Sequence, residues 1–214
     1  MAEDEDLRES YDRIAQRYAD EFYDELGHKP FDRDLLDRFA ALVGPGASTL
    51  DVGCGPGHVG RYLSDRGVAV AGLDLSPGMV ECAARLNPGM IFSQGSMLAL
   101  PFPDANFAAI VAFYSIIHLA RADAILALVE FHRALRPGGW LLLAFHGGQG
   151  EVHREEWYGE RVRVHATFFT LDEMATYLRA AGFTVAEQHE RLPYEGEYQS
   201  QRMYALARKR WAGE

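Results

Sequence analysis

The sequence predicts a doubly wound α/β fold on a seven-stranded, mostly parallel sheet, with a helical lid ahead of it. Three observations carry this expectation. Strand and helix signals alternate from about residue 45 onward, the pattern that gives a parallel sheet with helices on both faces. A glycine-rich turn, Gly53-Cys54-Gly55-Pro56-Gly57, stands where the first strand passes into a helix. The last two strand signals are joined by a connection around Pro193-Tyr194-Glu195-Gly196-Glu197, too short for a crossover helix, so the last strand is expected to run antiparallel.

The elements follow in order. Leu7, Tyr11, Ile14, Tyr18 and Phe22 recur at helical spacing and predict an amphipathic helix over 5–25. Phe31, Leu35, Phe39 and Leu42 predict a second, ended by Gly44-Pro45-Gly46. Strands are expected near 49–53, 68–73, 90–94, 107–113, 139–146, 183–190 and 202–208, with helices at about 58–66, 77–86, 121–135 and 170–181. Ser76-Pro77 opens the second of these helices as N-cap and first helical residue. The stretch from Gly147 to Thr170 breaks the rhythm and holds Trp157, Tyr158, His165, Phe168 and Phe169. A connection of that length reads as a binding loop or as a flap packed on the sheet edge. One domain is expected over 1–214, divided into a cap (1–44), a ligand-binding core (45–146), an insert (147–169) and a C-terminal helix with two strands (170–214).

Composition narrows the class. A chain of 214 residues is long for one small domain and short for two, and 48% apolar residues suffice for a packed interior. No apolar run approaches a membrane span, and the start, Ala2-Glu3-Asp4-Glu5-Asp6, is acidic, so neither a span nor a signal peptide is expected. Cys54 and Cys82 make no disulfide framework, which suits a reducing, cytoplasmic setting. A net charge of −10 argues against nucleic acid and leaves a small molecule as the expected partner; Arg208-Lys209-Arg210 reads as a solvated tail. The eight histidines show no metal-ligand spacing, and no Gly-x-Ser-x-Gly elbow occurs.

Glycines in the 53–57 turn let a ligand lie against backbone, and the helix start behind it offers free N–H groups and positive dipole. Dinucleotides and S-adenosylmethionine (SAM) both use such a turn. Gly55-Pro56-Gly57-His58-Val59-Gly60 fits G-x-G-x-x-G, which keeps an NAD-dependent oxidoreductase open. Asp51 tilts the choice toward SAM, because a carboxylate repels a pyrophosphate and favours a sulfonium or ammonium. Asp74, about 20 positions past the glycines at the tip of the second strand, is placed to grip two ribose hydroxyls.

Five stretches, LDVGCGPG (50–57), VAGLDLSPGMV (70–80), GSMLALPFPDANFAAIV (95–111), SIIHL (115–119) and LRPGGWLLLAF (135–145), together resemble the class I SAM-dependent methyltransferases. The likeness is to the small-molecule type found in ubiquinone and menaquinone biosynthesis and antibiotic tailoring. It implies a Rossmann-like sheet, SAM as cofactor with S-adenosylhomocysteine (SAH) as product, and in-line methyl transfer to an O, N, C or S nucleophile. A SAM-binding protein without turnover stays open as a further reading, and the assembly expected is a monomer or homodimer. The resemblance places the cofactor against Asp51, Gly53, Cys54, Gly55 and Gly57, with Asp74 and Leu75 at the ribose. Ser96 and Met97 fall at the adenine, although the family usually carries an acid where Ser96 stands. Tyr114 shapes the SAM pocket, and Tyr11 and Tyr18, in the Tyr-Asp-x-x-Ala-x-x-Tyr opening, close over the methionine part. His118 lies beneath the methyl group, where it is a candidate base or a packed histidine. His146, Trp157, Tyr158 and His165 are expected around the acceptor. Lys29 or Arg33 either pairs with the SAM carboxylate or an anionic acceptor, or belongs to a solvated interhelix turn.

Overall fold

The computed structural model describes residues 2–211; Met1 and residues 212–214, the ends of the expected domain, lie outside the described residues. The chain opens with α1 (Ala2–Phe22), a short 3-10 turn and α2 (Pro30–Val43). It then alternates β1 (Ser48–Val52), α3 (His58–Ser64), β2 (Ala69–Asp74), α4 (Pro77–Leu86), β3 (Ile91–Gln94) and β4 (Phe107–Phe113). After α5 (Arg121–Ala134) come β5 (Leu135–Gly147), β6 (Glu151–Trp157) and β7 (Glu160–Thr167). The chain closes with α6 (Leu171–Ala180), β8 (Phe183–Arg191) and β9 (Gln201–Lys209).

Among the described residues the main sheet has seven strands in the order β3-β2-β1-β4-β5-β9-β8. Neighbours from β3 to β5 are parallel, and β9 runs antiparallel to both β5 and β8. The order reverses between β1 and β4, and ligands of such sheets sit outside the carboxyl ends of the strands at that switch point. Strand alternation divides the core into two layers. Ile110 and Ala112 of β4 face Leu128 and Phe131 of α5, whereas Ala109 and Val111 face Leu36 and Phe39 of α2 and Leu63 of α3. Both faces are covered, which is why the central strands read as continuous apolar runs.

The insert, expected as a binding loop or as a flap on the sheet edge, is a separate antiparallel hairpin of β6 and β7. Tyr158 (φ +57°) and Gly159 (φ +77°) make its two-residue turn, both in the left-handed region such tight hairpins need. The hairpin packs on α1, where Leu7 and Ile14 meet Val162 and Val164. Arg13 donates to the Arg161 carbonyl at 2.9 Å, and the Arg163 N–H donates to Ser10 Oγ at 2.8 Å. Cap and insert are therefore one roof. Two smaller differences concern boundaries: α1 stops at Phe22, and β5 starts at Leu135, with a register break opposite Phe107 and Ala109. Among the described residues no helix is long and apolar enough to cross a membrane, and no cluster of His, Cys, Asp and Glu is arranged to hold a metal.

Candidate functional site

A cavity of about 700 Å³ lies at the carboxyl ends of the central strands, under the roof of α1 and the hairpin. Its floor begins at the glycine turn. Gly53 has φ +68°, and a Cβ there would stand 2.2 Å from the Ser115 Cβ, so only glycine fits. Ser115 donates to the Val52 carbonyl at 2.7 Å and ties the turn to the end of β4. Gly53 and Cys54 both donate to the Leu73 carbonyl, at 2.7 and 3.0 Å, which locks the turn to β2. At Gly55 (φ +52°) an added Cβ would meet only the Tyr18 ring at 3.9 Å, so this backbone faces open cavity.

Asp74 closes the other side of the turn. One carboxylate oxygen accepts the Gly55 N–H at 2.8 Å and the other the Ser76 N–H at 2.9 Å. Each oxygen keeps a second lone pair, and the side chain borders the cavity. Burial pushes the Asp74 pKa up to about 6; the two N–H bonds pull the other way, and the nearby charge of Asp12 adds to the rise. Asp12, from α1, accepts from Ser76 Oγ at 2.5 Å and the Gly78 N–H at 2.9 Å, and Ser76 Oγ accepts the Met79 N–H at 3.1 Å. The roof is thus fastened to the start of α4 beside Asp74.

The cavity brings together most of the residues singled out in the sequence. Gly53, Cys54 and Gly55, Asp74 and Leu75, Ser96 and Met97, Tyr114 and His118 line its floor. Tyr11, Tyr18, Trp157 and His165 line its roof, and His146 lines one end. Tyr11 meets Tyr18 edge-on, with centroids 5.7 Å apart, and Trp157 packs against both.

Three expected residues stand behind the wall. Asp51 is 2% exposed and accepts the Gly60 N–H at 2.9 Å, which joins β1 to the first turn of α3. Burial pushes its pKa up to about 7, and its bond to Gly60 away from the cavity lining makes it an internal anchor and not a group facing a ligand. Gly57 (φ +83°) is the N-cap of α3, and a Cβ there would stand 2.7 Å from Asn87 Nδ2. Tyr158 stacks on Trp157 at 5.5 Å in the hairpin turn, away from the cavity.

His118 has both ring nitrogens engaged. Nδ1 lies 2.7 Å from the His165 carbonyl, which only accepts, so Nδ1 carries the proton. Nε2 therefore accepts the Tyr11 hydroxyl at 2.8 Å. Burial pushes the His118 pKa down to about 4 and raises the Tyr11 phenol above its ordinary value. The pair is neutral at physiological pH, with the imidazole holding the tyrosine.

The far end of the cavity holds a buried ionic network that the sequence reading reached only through Lys29. Lys29 Nζ lies 2.7 Å from Glu25 and 3.2 Å from Glu197. Arg191 grips Glu197 with two bonds of 2.6 and 2.9 Å and pairs with Asp32 at 2.7 Å. Arg202 also lines this end, beside Tyr114 and His146. The sequence signal for Arg202 is a charge placed directly before the apolar run Met203 to Ala207 of β9. Arg33, the other candidate cation, donates to the Gly27 carbonyl at 2.6 Å and stays out of the wall.

Comparison with known proteins agrees with the fold. The family model described as "Methyltransferase domain" matches residues 49–139. The chain is 33% identical over 168 residues to a malonyl-[acyl-carrier protein] O-methyltransferase of Pseudescherichia vulneris, covering 77% of this chain and 63% of that one. It is 34% identical over 142 residues to a demethylmenaquinone methyltransferase of Beutenbergia cavernae, covering 65% and 57%. The fold of a SAM-dependent methyltransferase from Methanosarcina mazei superposes with a TM-score of 0.71 at 18% identity, over 79% of this chain and 95% of that one. The chain spans about half the length of the curated relatives it matches.

Proposed function

The chain belongs to the class I SAM-dependent methyltransferases, and from that premise we propose that it methylates a small-molecule acceptor by in-line transfer from SAM. The observation that carries this reading is the joint of Asp74 with the Gly53–Gly55 turn at the switch point, opening onto a cavity of about 700 Å³. The residues present fit SAM: carboxylate lone pairs suited to two ribose hydroxyls, bare glycine backbone beside them, and an aromatic roof.

When bound, SAM supplies a methyl group on a positively charged sulfur that leaves as a neutral thioether. The chain supplies alignment and dryness. Asp74, with Leu75 beside it, accepts from the ribose, Gly53, Cys54 and Gly55 admit the methionine part, and Ser96 and Met97 border the adenine. Tyr11, Tyr18 and Trp157 exclude water. His118, neutral and committed to Tyr11, acts as a positioning residue for that hydroxyl, while Tyr114, His146 and His165 border the acceptor.

The dinucleotide reading is less well supported, because the Gly55 N–H is already donated to a carboxylate and is not free for a phosphate. The acidic balance of the chain supports an acceptor other than nucleic acid, and two free buried cysteines suit a cytoplasmic setting; a monomer or homodimer is the expected assembly. Calorimetry with SAH and NADH, followed by mass detection of SAH formed from SAM in the presence of metabolite fractions, tests the reading. SAH binding and SAM turnover are expected; tight NADH binding without SAH binding would overturn it.

A further inference from the structure

The β5–β9 end of the cavity presents hydrogen-bond donors with no protein acceptor to receive them. Arg202 of β9 stands directly opposite His146 of β5, and its side chain is 4% exposed. Its Nη1 donates to His146 Nδ1 at 2.7 Å and to Ser200 Oγ at 2.8 Å. A guanidinium only donates, so His146 Nδ1 carries the lone pair and the ring proton sits on Nε2. Burial first, and then the Arg202 charge, push the His146 pKa down to about 3, so the ring stays neutral. No protein acceptor meets its Nε2–H among the described residues.

Arg202 Nε is also buried without a hydrogen-bond partner. The nearest carboxylate, Glu197, is 3.6 Å away and is already held by Arg191 and Lys29. A buried donor left without a hydrogen bond is costly even with an ion-pair partner 3.6 Å away, and one in a cavity wall marks the place of an outside acceptor. Phe168 and Tyr198 ring His146 at 5.8 and 5.7 Å, which gives an apolar surround where charge-assisted bonds are strong.

Position separates this wall from the cofactor's. The strand order puts β2, with Asp74, on one side of β1, and β4, β5 and β9 successively farther away on the other. At about 4.8 Å per strand, Arg202 stands about 14 Å from the strand that delivers the glycine turn. His118 and His146 have their lone pairs taken, by Tyr11 and Arg202 respectively, so neither offers a free base and this wall suits a ligand that arrives already ionised.

We propose that the methyl acceptor is a small organic acid with an apolar body, anchored at this wall by its carboxylate, which the Arg202 Nε–H and the His146 Nε2–H receive; the methyl then passes from the SAM sulfur to a nucleophilic atom at the other end of that body, and SAH leaves as the neutral thioether. This rests on the methyltransferase reading, and the test separates the two. SAH affinity is measured first by calorimetry, and its absence would overturn that reading. The SAH-saturated protein is then titrated with octanoate and phenylacetate, each against its neutral amide. A carboxylate is expected to bind at least tenfold more tightly than its amide, without displacing SAH. Arg202→Gln is expected to abolish that preference with SAH affinity within twofold of the parent, and Arg202→Lys to keep part of it. If Arg202→Gln fails to fold, His146→Phe, which removes the Nε2–H, carries the test and is expected to lower the preference. The proposal is overturned if neither carboxylate binds the SAH complex, if amide and carboxylate bind alike, if the variants keep the full preference, or if the carboxylate competes with SAH.

Discussion

Asp74 carries two tasks on one carboxylate, and its neighbours set when it can perform the second. Gly55 and Ser76 occupy one lone pair of each oxygen, so the turn keeps its shape with or without a ligand. The remaining lone pairs serve a ribose only while the group is ionised. Asp74→Ala is expected to weaken SAH binding more than tenfold, because two hydrogen bonds to a charged group, worth about 1.5–3 kcal/mol each, are lost. With its pKa raised to about 6, the protonated form dominates below that pH. SAH affinity of the parent is therefore expected to fall as pH drops through about 6, and that of Asp74→Asn to stay level; calorimetry from pH 5 to 8 reads both. At His118, open in the sequence as a candidate base or a packed histidine, the bond pattern favours the packed reading. Tyr11→Phe and His118→Ala are expected to slow turnover similarly, and the double variant no further, because each removes the same bond. A pH–rate profile whose acid limb near neutrality disappears in His118→Ala would restore the base.

The elements differ in how plainly the sequence announces them. The sheet strands fall within a few residues of their expected places, because strands buried on both faces are unbroken apolar runs between glycine and proline punctuation. The β6–β7 hairpin is missed for the opposite reason: most of Glu151–Trp157 is exposed, and the one clear alternation is Val162 and Val164. Its usable signal is Tyr158-Gly159, an X-Gly turn between two β-rich flanks. Alternation also explains the misplacement of Asp51, since a residue between Leu50 and Val52 falls on one face or the other according to packing that no motif records. Arg202 becomes a site residue only through its pairing with His146, a contact between positions 56 residues apart. The join of α1 to α4 is a property of elements that a mutation can measure. Ser76→Ala removes an N-cap and a partner of Asp12, and is expected to cost about 1 kcal/mol. Asp12→Ala is expected to cost a similar amount. In a double-mutant cycle by urea unfolding the two are expected to be less than additive, because each loses the Ser76–Asp12 bond; strict additivity would show that the join is not load-sharing.

For the molecule as a whole, the buried ionisable groups set an acid limit on stability whose shape follows from their signs. Asp51 and Asp74 have pKa values raised from 3.8 to about 7 and 6; their stabilisation is full below 3.8 and is lost as pH rises through the folded values. His118 and His146 are lowered from 6.5 to about 4 and 3; their stabilisation is full above 6.5 and is lost as pH falls through those values. Between about pH 4.5 and 6 these two pairs oppose one another, so Tm is expected to change little there. Glu25 and Glu197 are lowered from 4.5 to about 2, held by His58 and Lys29 and by Arg191 respectively against the penalty of burial. Their contribution is full above 4.5 and drains away as pH falls toward 2, when the aspartates have no more to give, so a steep fall of Tm is expected below about pH 4.5. Glu197 is the shared anion of Lys29, Arg191 and Arg202, and its loss leaves three buried cations short of a partner. Breaking a buried pair costs about 3–5 kcal/mol, so Glu197→Gln is expected to lower Tm at pH 7 by on the order of 10 °C. The same variant is expected to show a shallower acid limb, having one fewer carboxyl to protonate. Scanning fluorimetry from pH 3 to 8 reads the plateau, the limb and the variant in one experiment, and an unchanged Tm for Glu197→Gln at pH 7 would show that the network does not hold this end of the cavity together.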